Sequence, residues 1–115
     1  MTKLREAENL IIKAYFSNDS QLTNAYENMV NHFHFIEVSE HTNHLYAIKL
    51  LYEQPKNKYS LKKIACLTNM DENALRRRRK KYAECFIFFL ALETDKFYDF
   101  NGEIAAVDIS KFEDL

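Results

Sequence analysis

The sequence predicts an all-α fold, a compact domain of about five helices, on three observations. Apolar residues recur at three- and four-residue spacing through most of the first 92 positions. One glycine and one proline in 115 residues leave few means of making tight hairpins or a phosphate-cradling loop. A hydrophobic content of 47% over this length is enough for one core, and the chain is too short for two ordinary domains. The expected organisation is therefore a single domain, with helical support over 1–55, a central unit over 56–92 and an acidic, aromatic tail over 93–115.

Leu4, Ala7, Ile11, Ala14 and Tyr15 form the stripe of a first helix, about 3–16, after which "FSNDS" supplies stop and restart signals. After Ser20 the stripe resumes with Leu22, Tyr26, Met29, Val30, Phe33 and Ile36, and the β-branched and aromatic "FHFIEV" leaves the end of this second helix open between fraying and extension. A third helix, about Glu40 to Glu53, carries Leu45, Ile48, Leu51 and Tyr52. It should stop before Pro55, because a residue preceding proline is pushed out of helical geometry.

The next stretch has a tighter logic. Ser60 is placed to cap a short helix with Leu61, Ile64, Ala65 and Leu67, and Asp71 to cap another with Leu75, Tyr82 and Phe86 on one face. Between them "TNM" makes a turn in which Asn69 is the residue best able to take a left-handed conformation. Ala65 is small enough to let two steeply crossed helices approach. These positions form the skeleton of a helix-turn-helix.

Charge concentrates in the same unit. Lys56 to Cys85 holds ten basic against three acidic side chains, a local net charge of +7 within a chain whose total is −1. On a wheel of about 100° per residue, Tyr82 and Phe86 fall within roughly 20° of Leu75, whereas Asn73, Arg76, Arg77 and Lys80 fall opposite. Arg78 and Arg79 lie nearer the core edge, with stems expected to cover apolar neighbours and guanidinium groups expected to snorkel outward. Since the second helix of such a motif enters the major groove, Asn73, Arg76 and Arg77 are the expected base readers. Lys62, Lys63, Lys80 and Lys81 are the expected phosphate contacts.

The segment "YSLKKIACLTNMDENALRRRRKKYAECFIFFLA" resembles the C-terminal helix-turn-helix of the ArpU/RinA-like transcriptional regulators of phages and prophages of Gram-positive bacteria, a motif related to region 4 of sigma factors. The likeness rests on a serine-led helix with Ile64-Ala65, the Asn69-Met70-Asp71 turn, Leu75, the dense Arg/Lys stretch and the Tyr82-Ala83 to Phe86 exit, about a third of the chain. It implies sequence-specific binding of duplex DNA and control of transcription, with Asn73, Arg76 and Arg77 at matching recognition positions. A homodimer and a contact with RNA polymerase are expected as further partners to be tested. Two positions depart from the pattern: Asn69 replaces the commoner turn glycine, and Arg78 and Arg79 stand where such helices often carry an apolar residue.

Other readings are open at this level. The basic run suits a solvated helix face, or a small helical interaction module of a phage or mobile element that binds a host protein. His32, His34, His41 and His44 lack the spacing of a zinc site, and no nucleophile–base constellation is present, so neither metal, cofactor nor catalysis is expected. Asp95, Asp99, Glu103 and Asp108 read as a solvated acidic tail. Phe86, Phe88, Phe89, Phe97, Tyr98 and Phe100 read mostly as core, with a remainder available for a dimer surface. No apolar run is long enough to span a membrane and the N-terminus lacks a signal-peptide core, so a cytoplasmic location is expected. In that compartment Cys66 and Cys85 are expected to be reduced, buried and small.

Overall fold

A computed structural model describes residues 4–40, 42–55 and 58–94, and among them it shows five helices and no strand. The helices are α1 (Leu4–Phe16), α2 (Ser20–Glu40), α3 (His44–Tyr52), α4 (Leu61–Leu67) and α5 (Glu72–Glu93). His41, Lys56 and the tail from Asp95 onward, including Phe97, Tyr98, Phe100, Asp99, Glu103 and Asp108, lie outside the described residues.

The longest helices, α2 and α5, run antiparallel. At one end the Gln21 side-chain amide donates to the Glu93 carbonyl at 3.0 Å, and at the other the rings of Phe33 and Tyr82 meet edge to face at 4.7 Å. Helix α1 packs across both, and α3 closes the cluster with Ala47, Ile48 and Tyr52. In α1 the buried stripe is Ala7, Leu10, Ile11 and Ala14. Tyr15, expected within it, sits at its rim, 43% exposed, with its ring against Phe16 and Tyr26.

The second helix begins on Asp19, whose carboxylate accepts the Leu22 amide at 2.9 Å, and "FHFIEV" extends it unbroken to Glu40. This moves the start of α3 four residues beyond the expected Glu40. Asn43 precedes α3 without capping it; the Glu37 carboxylate of α2 accepts the Leu45 amide instead, at 3.1 Å. An acid at a helix N-terminus satisfies an orphan donor and opposes the helix dipole. Helix α3 ends at Tyr52, ahead of Pro55.

A second, smaller cluster of Leu50, Ile64, Ala65 and Leu75 holds α4 between α3 and α5, with Met70, Tyr59 and Leu61 packed on it. Leu51 touches both clusters and joins them. The ends of α4 follow the local chemistry: Ser60 Oγ accepts the Lys63 amide at 3.1 Å, and Asn69 takes a φ of 56°, the one positive φ among the described non-glycine residues. Around Asn69 the Met70 amide reaches the Ala65 carbonyl and the Asn69 amide reaches that of Cys66, the paired bonds of a Schellman stop. Helix α5 restarts at once, with Asp71 Oδ1 accepting the Ala74 amide at 2.7 Å.

Both cysteines are free. Cys85 is half-buried and burial pushes its thiol up to about 12, whereas Cys66 is exposed, contrary to the expectation that both are buried. Ile64 and Ala65 are the two residues of α4 buried in the small cluster, with Leu61 half-buried beside them, and the residue after Ala65, about 100° further round, turns to solvent.

Candidate functional site

Every side chain expected to contact DNA is exposed: Lys62 and Lys63 on α4, and Asn73, Arg76, Arg77, Lys80 and Lys81 on α5. The inward face of α5 carries Leu75, Tyr82, Ala83, Phe86, Ile87, Leu90 and Ala91, so the wheel separates the two faces correctly. Asn73, Arg77 and Lys80 lie four and three residues apart and share one stripe. At 1.5 Å per residue it covers about 10 Å of helix axis, roughly three base-pair steps.

The charges on this face are not equally available. Arg76 donates to Asn73 Oδ1 at 3.3 Å and pairs with Glu72 at 3.5 Å, and Lys80 lies 3.9 Å from Glu84. These are exposed, helix-local contacts worth a few tenths of a kcal/mol each and readily exchanged. Arg77, Lys81, Lys62 and Lys63 make no ion pair with a described residue. Asp71, Glu72, Asn73, Arg76 and Arg77 line a shallow concavity at the start of α5, where the amides of a helix N-terminus add partial positive charge.

Arg78 and Arg79 belong to a different surface. Arg78 reaches the Asn43 carbonyl at 3.5 Å across the α2–α3 connection. Arg79 does not snorkel outward as expected. Its Nε and Nη2 grip the two oxygens of Glu8 on α1 at 2.9 and 2.5 Å, and the Tyr52 hydroxyl donates to the same carboxylate at 2.8 Å. Glu8 is 9% exposed, and an acid at that depth is stable when several donors satisfy it. Hydrogen bonding to Glu8 raises the Arg79 guanidinium further above its already high ordinary value. Burial first, then the Glu8 carboxylate, pushes the Tyr52 phenol well above its own. Sequence reasoning missed this group because its partners are 71 and 44 residues apart. The one available signal is an acid at position 8, between Ala7 and Ile11 on the buried stripe.

A second polar group lies beneath the middle of α5. His44 Nδ1 and the Tyr82 hydroxyl share a hydrogen bond of 2.8 Å, with Phe33 and Tyr52 packed on Tyr82. Burial lowers the His44 pKa, and the nearby Arg78 guanidinium lowers it further. Burial pushes the Tyr82 phenol up to about 12. His32 and His34 are exposed on α2, and among the described residues no three His, Cys, Asp or Glu side chains gather as a metal site. No helix among the described residues is long and apolar enough to cross a membrane. Of the aromatics on α5, Phe86 is core, Phe89 packs half-buried against it and Phe88 is 38% exposed. No family model, curated protein or solved structure matches the chain.

Proposed function

We propose that the chain is a sequence-specific duplex DNA-binding regulator of transcription, of phage or prophage type and acting in the cytoplasm, in which α4, the Asn69 turn and α5 work as a helix-turn-helix. The observation that carries this reading is the division of the basic run. Arg78 and Arg79 turn inward to the Asn43 carbonyl and Glu8, while Asn73, Arg76, Arg77, Lys80 and Lys81 stay outward on the second helix of a tightly turned pair. A merely solvated helix needs no such sorting. Lys62, Lys63, Lys80 and Lys81 neutralise phosphates and release counterions, which supplies affinity without sequence information. Asn73, Arg76 and Arg77 meet base edges, where asparagine pairs with adenine and arginine with guanine.

A second reading has its own support. Phe35 and Val38 near the end of α2 are 71% and 63% exposed, and Tyr46 on α3 is 40% exposed, side chains suited to a protein partner: a second copy, RNA polymerase or a host protein. The two readings separate in one experiment, in which the purified protein selects fragments from a random duplex pool. Enrichment of one site, followed by loss of preference for it in Asn73→Ala and Arg77→Ala proteins that remain folded, supports base reading. A pool that stays random after repeated rounds overturns it and leaves the protein-binding reading.

A further inference from the structure

The two halves of α5 are held very differently. From Tyr82 onward the helix buries Tyr82, Ala83, Phe86, Ile87, Leu90 and Ala91 in the large cluster. Before Tyr82 its one buried side chain is Leu75, which sits in the small cluster with Leu50, Ile64 and Ala65. The half that carries Asn73, Arg76 and Arg77 is therefore anchored by one apolar side chain and by the inward arginines. Of these, Arg78 makes one long, exposed hydrogen bond at 3.5 Å to the Asn43 carbonyl and lies close to the Tyr82 hydroxyl, whereas Arg79 makes two charge-assisted bonds to a nearly buried carboxylate.

We propose that Glu8 and Tyr52 are positioning residues for DNA recognition: by gripping Arg79 they fix the roll of the first half of α5, and so the placement of Asn73 and Arg77, without touching DNA themselves. This rests on the DNA-binding reading above and deepens it. A guanidinium fork bonded at two points to a carboxylate fixes orientation as well as distance, which a single ammonium does not. Tyr52, fully buried and bonded to one of the same oxygens, fixes the carboxylate in turn. A side-chain tip about 8 Å from the axis of a helix of this geometry moves about 2 Å for a roll of 15°. Hydrogen bonds to base edges require placement within about 0.5 Å. Attraction to phosphates falls only gradually with distance and survives such a shift. Loosening the grip thus removes discrimination and leaves non-specific binding.

The test compares wild type with Glu8→Gln, Arg79→Lys and Tyr52→Phe on the selected site and on scrambled duplex, at one salt concentration and at a temperature where circular dichroism shows each protein folded. Arg79→Lys keeps the charge and loses the fork, and Tyr52→Phe removes a single bond, so the series does not depend on one fragile variant. Ile87→Val, which loosens the large cluster away from the pair, is the stability control. The expected result is a fall of about tenfold or more in the preference ratio for Arg79→Lys and Glu8→Gln, the size of one lost two-point base contact. A smaller fall is expected for Tyr52→Phe, with scrambled binding within about threefold of wild type and the ratio of the control unchanged. If wild type discriminates and the variants keep its ratio, or if site and scrambled binding fall in parallel, this inference is overturned and the DNA reading stands. If wild type shows no preference, both fall.

Discussion

The Met70 amide donates to the Ala65 carbonyl at 3.0 Å, and the chain makes that turn because Asn69, between them, takes a φ of 56°. The left-handed conformation costs a residue with a β-carbon about 1 kcal/mol or more, less for asparagine and almost nothing for glycine. Asn69→Gly is therefore expected to leave stability unchanged or raise it by up to about 1 kcal/mol, and Asn69→Ala to lower it by about 1 kcal/mol. Denaturant unfolding of the three proteins checks the order. Equal stability for all three would mean that the positive φ is not the strained point of the turn.

His44 gives the fold a sensitivity to mild acid. Its pKa is lowered from 6.5 by burial, with Arg78 and Lys81 also disfavouring the charged form and Glu37 and Glu40 favouring it. The unfolded chain therefore binds a proton that the folded chain resists. The stability due to neutral His44 is full above the unfolded value and is lost as pH falls through 6.5 towards the lowered folded value. Wild type is expected to lose stability between about pH 7 and pH 5, and His44→Gln to lose less over that interval. Parallel curves for the two proteins would remove His44 as the cause.

Binding to duplex DNA is expected to weaken steeply with salt. Each of Lys62→Ala, Lys63→Ala, Lys80→Ala and Lys81→Ala should reduce the slope of log affinity against log salt by about one unit. Glu72→Gln should act in the opposite sense, because it removes the acid lying 3.5 Å from Arg76. An increase of several-fold in low-salt affinity is expected from that change, on the order of one added phosphate contact. Titrations at a series of salt concentrations measure both effects, and a Glu72→Gln protein that binds no tighter would show that Arg76 is already free for DNA.

What was legible in the sequence was what is local along the chain. The helical stripes, the Ser60 and Asp71 caps and the left-handed Asn69 each depend on residues within about four positions, so composition and spacing were enough to place them. The outward placement of Asn73, Arg76, Arg77, Lys80 and Lys81 follows from the same periodicity. The start of α3 was not legible, because its capping acid is Glu37 of the preceding helix rather than a neighbour. Nor were the roles of Arg79 and His44, whose partners Glu8 and Tyr82 are brought to them only by tertiary packing. The exposure of Cys66 depends on how little of α4 the small cluster covers, a quantity no pattern in seven residues reveals.

The consecutive arginines offer the sharpest test of the division between binding and support. Arg77 is exposed without an ion pair to a described residue, so Arg77→Ala should change stability by no more than about 0.5 kcal/mol while weakening DNA binding. Arg79→Ala removes the one charged partner among the described residues, and both charge-assisted bonds, of a carboxylate that is 9% exposed and leaves it with the Tyr52 hydroxyl alone. A fully buried pair broken in this way costs about 3–5 kcal/mol. The Arg79 side chain is 29% exposed, so about 2–3 kcal/mol is the expected loss once solvent screening is allowed for. Arg78→Ala should fall between the two, since its contact is long and exposed. Denaturant unfolding and duplex binding, measured on the same preparations, give each arginine two coordinates. Should Arg77→Ala and Arg79→Ala prove equally stable, the pair with Glu8 does not hold the first half of α5, and the sorting of the basic run into inward and outward arginines loses its energetic meaning.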